Sequence, residues 1–203
     1  MPSEMRLYDR QKRRLYINAD ERARFLTAAQ ACTPGIRCFC ETLLYTGCRL
    51  SEALELTPSA LQLEARLITF RTLKKRRKHV MREVPIPAVL VASLRHLIEG
   101  THEDQAALPL WQVSGRRLNR STGYRWVKAV MQSAGIVGAQ ASPKGLRHGY
   151  GVHAVRSGVQ LHMLSKWMGH AALSTTTIYA TAIGQEELEI ADRMWRDAAD
   201  EAS

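Results

Sequence analysis

Five separated stretches of this chain carry side chains that could work on an anion. "TGCRLSEALEL" (Thr46 to Leu56) places Arg49 just after a glycine turn, at the start of a short helix. "LKKRRKH" places Lys74, Lys75, Arg76, Arg77 and Lys78 between two strand-like runs. "SPKGLRHGYG" (Ser142 to Gly151) places Lys144 and Arg147 three residues apart near a helix start. "WMGH" ends on His170, and "STTTIYA" carries Tyr179 nine residues later. Cations in the first turn of a helix oppose its dipole and are unfavourable unless an anion is close. A phosphate there would turn the same helix start into a binding site. Likewise, a tight basic hairpin tip repels itself unless it contacts a polyanion.

Each stretch has a simpler reading. Arg49 could be a surface arginine paired with Glu52 at i+3. The lysine-rich tip could be a solvated loop, His170 a cap for helix carbonyls, and Tyr179 an amphipathic surface residue. The polar run around Tyr179 suggests that its ring reaches outward and not into a core.

The elements that must position these residues are mostly helical. Asn18 with Glu21 forms a capping-box pattern, followed by Phe25 and Leu26 on one face. "TPG" (Thr33 to Gly35) starts a helix that Gly47 ends. Arg49 to Leu56 is a short helix closed by "TPS". The period then changes to two: "LITFRT" (Leu67 to Thr72) and "VMREVPIP" (Val80 to Pro87) read as strands of a hairpin, with Val80, Arg82, Val84 and Ile86 on one face. Helices are predicted at Ala88 to Glu99, Thr122 to Ala134 with Ser121 as cap, Ser142-capped Pro143 to Gly158, and Leu161 to Met168 before Gly169. Ser174 is predicted to cap a helix carrying Tyr179. Fold class is mainly α with a small antiparallel β-sheet (α+β).

The chain has 203 residues, enough for one domain with a real core. Lys plus Arg total 29 against 19 Asp plus Glu, a net charge of +10. That balance points to nucleic acid before any other partner. A membrane surface is disfavoured because the cations do not line one amphipathic helix. Mean hydropathy is −0.24 and no apolar run approaches the ~18 residues of a membrane span. The first residues lack the apolar core of a secretory signal, so a cytoplasmic, nucleoid-associated location is expected. Cys32, Cys38, Cys40 and Cys48 contain no CxxC and no nearby histidine, so buried thiols are expected in place of a zinc site.

Taken in order, "TGCRLSEALEL", a hairpin lysine, "KGLRH", "WMGH" and "TTTIYA" resemble the catalytic domain of the tyrosine recombinase (phage integrase) family, from about Asn18 to Ala180. The resemblance implies a site-specific DNA recombinase or integrase that cleaves and rejoins strands through a 3′-phosphotyrosine, without metal, ATP or other cofactor. It makes Arg49 and Arg147 the catalytic arginines and His170 the histidine-or-tryptophan residue. Tyr179 becomes the nucleophile. Lys144 stands where the family more often has histidine. Lys74 is the implied general acid, with Lys75 as alternate, and Lys75, Arg76, Arg77 and Lys78 are implied DNA contacts. The expected partner is double-stranded DNA with inverted-repeat sites, bound by a homotetramer with a dimer on each site, with a possible accessory DNA-binding protein. Residues 1–17 read as a basic arm, 18–184 as the catalytic domain, and 185–203 as a helix. Leu188, Ala191 and Trp195 on that helix either contact a neighbouring protomer or fold back on their own domain. Most members of the family carry a separate N-terminal clamp domain; the short form here resembles the fimbrial phase-variation invertases. A type IB topoisomerase and a non-catalytic DNA-binding regulator are the alternatives on the same fold.

Overall fold

A computed structural model describes residues 6–72, 80–100, 105–170 and 173–181, together with Leu188 and Asp192. The hairpin tip with Lys74, Lys75, Arg76, Arg77 and Lys78 lies outside the described residues, as do Ala191, Trp195 and most of residues 185–203. Leu188 is helical and exposed.

Local signals set the helices. In α1 (Ala19–Gln30) the Asn18 side chain accepts from the Glu21 amide and the Glu21 carboxylate accepts from the Asn18 amide, so two otherwise orphaned donors are satisfied reciprocally. The next helix, α2 (Pro34–Thr46), has proline in its first turn and stops at Gly47, whose φ of 58° is left-handed. Then come α3 (Leu50–Leu54), α4 (Ala88–Ile98), α5 (Arg120–Ser133), α6 (Pro143–Arg156) and α7 (Leu161–Met168). Two starts differ from expectation. The cap of α5 is Asn119, not Ser121: its side chain accepts from the Thr122 amide at 2.9 Å. Asparagine and serine cap about equally well, and the extended backbone at Asn119 decides between them. Tyr179 is not on an α-helix capped by Ser174. Leu173–Thr175 and Thr177–Thr181 are 3₁₀ turns, with the Thr176 amide bonded to the Leu173 carbonyl and the Tyr179 amide to the Thr176 carbonyl.

The three-stranded antiparallel sheet runs in the order β1 (Leu61–Gln62), β2 (Leu67–Arg71), β3 (Met81–Pro85). Its register pairs Ile68 with Val84 and Phe70 with Arg82. Period-two alternation turns Ile68, Phe70, Arg82 and Val84 onto the buried face. A two-residue ribbon, β4 (Gln112–Val113) with β5 (Arg116–Arg117), turns through Ser114 and Gly115, both at positive φ. Strands of two residues have no readable period, which is why this ribbon and β1 were not expected.

The main core joins α1, α2, α4, α5 and the sheet around Phe39, Leu43, Leu44, Phe70, Leu90 and Met131. A second cluster gathers Leu7, Tyr16, Tyr150, Leu164, Met168 and Tyr179. The described part of the basic arm belongs to it. The chain doubles back so that the Leu15 amide bonds to the Leu7 carbonyl, and the Ile17 amide bonds to the Gly145 carbonyl. Residues 6–17 of the basic arm are therefore docked, because Leu7, Tyr16 and Ile17 supply apolar area that α6 covers.

Glycines on α6 make that docking possible. A Cβ at Gly149 would lie 2.4 Å from Ile17 Cγ1 and 2.7 Å from the Ile17 carbonyl oxygen. Gly149→Ala should therefore lower stability by about 1–3 kcal/mol, the usual cost of overpacking. Gly35→Ala, where a new Cβ meets nothing within 4 Å, should not lower it. Thermal melting of the two variants checks this, and equal melting temperatures would show that the arm is not docked there.

Candidate active site

Turns bring the sequence-predicted cations together. Gly47 ends α2 in the left-handed conformation, and a Cβ there would strike the Tyr150 ring at 2.3 Å. This close approach lets the Gly47 carbonyl accept from Arg147 Nη1 at 2.6 Å. Arg147 Nη2 donates to the Met168 carbonyl at 2.7 Å. Two of the guanidinium's five N–H groups are thus committed to backbone oxygens at the ends of α2 and α7, and three remain for a ligand. The side chain is buried, and burial first, then the charge of Arg49, lowers its pKa to about 10, leaving it charged at neutral pH.

Arg49 directly precedes α3. The simpler reading of this residue is correct in part: Nη1 bonds to Glu52 Oε1 at 2.8 Å. The Glu52 carboxylate also accepts from the Arg49 amide at 2.9 Å. Glu52 itself has a fully buried side chain, and Arg82 reaches its other oxygen at 2.6 Å. Burial pushes the Glu52 pKa up, but Arg82, by charge and hydrogen bond, and then Arg49 hold it below the usual carboxylate value. Two guanidiniums share one carboxylate, so the cluster keeps a net positive charge. A third of the Arg49 side chain remains exposed to express it.

Lys144 is exposed in the first turn of α6, where the Ser142 hydroxyl caps the Gly145 amide at 3.1 Å. Arg49, Arg120, Tyr124, Lys144, Arg147 and His148 line one cleft of about 350 Å³. Two of these, Arg120 and Tyr124, come from the start of α5 and were not singled out by sequence. An open cleft with four cationic side chains fits a phosphate on an extended backbone better than a small apolar ligand.

His170 follows the left-handed Gly169 that ends α7, and its amide donates to the Ser165 carbonyl. Its Nδ1 lies 2.8 Å from the Thr176 hydroxyl, and its ring stacks on Tyr179 at 6.2 Å between centroids and 16° between planes. The structure therefore brings the predicted histidine and tyrosine into contact.

Tyr179 does not reach outward as its polar surroundings suggested. Its side chain is wholly buried in the second core cluster. The neighbours Ser174, Thr177 and Ala180 are exposed, while the tight turn points Tyr179 inward. Gly151 leaves a slot for the ring, since a Cβ there would lie 2.5 Å from Tyr179 Cε1. The phenol oxygen is 3.4 Å from His148 Nδ1. Burial raises the Tyr179 pKa to about 12, against the pull of Arg147 and Arg49. His148 therefore stands between the tyrosine and the cleft, which it also lines. Burial, then Lys144 and Arg147, lowers its pKa to about 4, so it is neutral at pH 7.

Besides Arg120 and Tyr124, sequence reasoning missed three participants. His148 lies inside "KGLRH", next to Arg147. Glu52 was visible only as a partner of Arg49. Arg82 could have been found as the one cation on the inward face of an alternating strand. Among the described residues, no group of three or more histidine, cysteine, aspartate or glutamate side chains could hold a metal ion, and no helix is long and apolar enough to cross a membrane.

Known proteins share this arrangement's fold and sequence. Tyrosine recombinase XerD of Brucella abortus is 30% identical over 172 residues, covering 80% of this chain and 55% of that protein. Tyrosine recombinase XerA of Pyrococcus furiosus is 30% identical over 157 residues, covering 74% and 52%. This chain thus spans about half the length of the curated relatives it matches. A crystal structure of XerA recombinase superposes with a TM-score of 0.77 at 25% identity, over 88% of this chain and 64% of that one. The catalytic domain of bacteriophage HP1 integrase superposes at 0.60 with 23% identity, over 81% and 86%. The phage integrase family profile matches residues 14–186, which contain all six residues singled out for catalysis, and the chain belongs to that family.

Proposed function

We propose that this chain is the catalytic domain of a site-specific DNA recombinase that cuts and rejoins strands through a covalent bond to Tyr179. The observation that carries the reading is the convergence of Arg49, Lys144 and Arg147 on one cleft, with the Tyr179 hydroxyl behind its His148 wall. The substrate would be double-stranded DNA. The relatives are named tyrosine recombinases, and one solved neighbour by fold, XerH, is bound to its difH substrate.

A phosphodiester carries negative charge that repels an attacking oxygen. Arg49 and Arg147 offer donors to the non-bridging oxygens, where charge grows in the pentacoordinate transition state. Lys144 adds a cation at the rim. The Tyr179 oxygen attacks phosphorus, the tyrosine–phosphorus bond forms, and the bond to the 5′-oxygen breaks. The phenol proton leaves toward the His148 side, and Lys74 protonates the departing 5′-oxygen. A 5′-hydroxyl from a partner strand then reverses the step, so no external energy source is needed. Because Tyr179 is buried, attack requires the Leu173–Thr181 turns to shift toward the cleft. Work on paired inverted-repeat sites by a tetramer, helped by an accessory protein, fits a catalytic domain of this kind. The C-terminal helix is our choice for the contact between protomers.

Tyr179→Phe removes one oxygen and should preserve folding and salt-dependent DNA binding. It should abolish the covalent adduct on nicked suicide substrates run on a denaturing gel. An adduct retained by this variant would remove Tyr179 from the chemistry. Arg147→Ala should keep the nucleophile yet slow cleavage by about 3 kcal/mol or more, as when an oxyanion donor is lost.

Lys74→Ala should cleave ordinary DNA poorly and recover on a substrate whose 5′-bridging oxygen is sulfur, because a thiolate leaves without protonation. Recovery in Lys75→Ala instead would move the general acid by one residue.

His148 also links the site to acid stability. Its folded pKa of about 4 lies below the ordinary value near 6.5, so between the two the unfolded chain binds the extra proton. The stability from burying the neutral ring is complete above pH 6.5 and is lost as pH falls toward 4, by about 3 kcal/mol in all. His148→Gln should lack this share of the pH dependence. Urea unfolding at pH 7 and pH 4.5 measures the difference, and identical slopes in both proteins would refute it.

A further inference from the structure

The geometry assigns Arg82 as a positioning residue for this reaction: through Glu52 it sets Arg49, and through the Trp167 carbonyl it sets the turn that presents His170. The assignment rests on the recombinase reading for its chemistry, but its geometry stands apart from it. Arg82 lies on β3, and its side chain is only 4% exposed. Its Nη2 donates to Glu52 Oε2 at 2.6 Å, its Nε to the Trp167 carbonyl at 2.8 Å, and its Nη1 to the Thr72 hydroxyl at 3.3 Å. The guanidinium sits over the Phe70 ring, 5.1 Å from its centre. A Cβ at Gly169 would come within 3.1 Å of it, so the glycine that ends α7 also makes room for this cation.

These bonds close a ring. Arg49 holds Glu52, Glu52 holds Arg82, and Arg82 holds the carbonyl of Trp167. The next carbonyl, Met168, holds Arg147, and Arg147 holds the Gly47 carbonyl two residues before Arg49. Arg82 touches no face of the cleft, since it does not line it. Its effect is therefore indirect and has two parts. Charge is the first: with Arg82 present, Glu52 is shared and Arg49 keeps unspent positive charge for a phosphate. Without it, Glu52 neutralises Arg49 alone. Reach is the second: the Trp167 contact fixes the end of α7, and with it the Gly169–His170 turn against β3. A buried ion pair adds little stability over well-packed apolar residues of the same volume. Stability alone therefore does not account for this pair beside the cleft, whereas positioning does.

Test variants are Arg82→Gln, Arg82→Lys and the paired Arg82→Met with Glu52→Gln, which removes both charges while keeping packing volume. Single-turnover adduct formation, DNA affinity and melting temperature are measured for each, with and without Arg49→Lys. The expected result for Arg82→Gln is cleavage slowed on the order of 10²-fold, as for a small misplacement of a catalytic group, with DNA affinity unchanged. Arg82→Lys should recover part of the rate, and the paired variant should stay slow although it melts normally. On the Arg49→Lys background, Arg82→Gln should cost less than in the wild type, because the share that acts through Arg49 is already lost and only the share that acts through the Trp167 carbonyl remains. A full additional loss there, or wild-type cleavage by Arg82→Gln or by the paired variant, overturns the assignment. The ¹⁵N side-chain resonance of Arg49 gives a readout that needs no cleavage. It should shift in Arg82→Gln, and an unmoved resonance overturns the assignment even if the wild type forms no adduct. Absence of adduct in the wild type would instead count against the recombinase reading.

Discussion

The Glu52 carboxylate is the point on which the site depends. It is fully buried and accepts from Arg82, from the Arg49 side chain and from the Arg49 amide. An isolated buried carboxylate would protonate; here two guanidiniums keep it charged. One anion between two cations can hold both without cancelling both. That arithmetic lets α3, β3 and α7 meet around Glu52 beside a positively charged cleft and still form a packed domain. Arg147 solves the same problem differently. It has no carboxylate partner among the described residues and is held by the carbonyls of Gly47 and Met168, at the ends of two helices. Carbonyls at helix C-termini carry partial negative charge, so they steady a buried cation without neutralising it.

The tyrosine proposed as nucleophile is stored on the other side of this cluster. Next to Gly151, Tyr179 stacks on His170 and meets His148 at a tilt, between the second core cluster and the cleft. Burial disfavours the phenolate, while the two arginines favour it. Moving toward a phosphate would relieve the first effect and strengthen the second. Under the proposed mechanism the tyrosine is thus inert where it rests and would be activated at a phosphate.

Much of this was legible in the sequence. The capping box of Asn18 and Glu21, the stop at Gly47, the hairpin strands and the Pro143 helix start are local rules, satisfied within a few residues, and they appear as written. Arg49, Lys144, Arg147, His170 and Tyr179 were picked out as a set by their resemblance to the family's motifs, and the structure brings the first three to one cleft and His170 against Tyr179. The six-residue stretch around Tyr179 misled in one respect. Its polarity is real, but a tight turn can bury one residue of an otherwise exposed run, and the slot it enters is made by Gly151, far away in sequence.

What only the tertiary structure decided were matters of distance across the chain. Arg82 and Glu52 are 30 residues apart, and Tyr179 and His148 are 31 apart. The carbonyls that hold Arg147 lie 100 and 21 residues away. No periodicity or capping rule encodes which backbone oxygen a guanidinium will find, because that depends on how α2, α6 and α7 pack. The sequence by itself determined which residue types were present, which faces were apolar, and where most of the helices begin and end. Packing decided which of the cations share an anion, which stays free for a substrate, and that the tyrosine waits inside the protein.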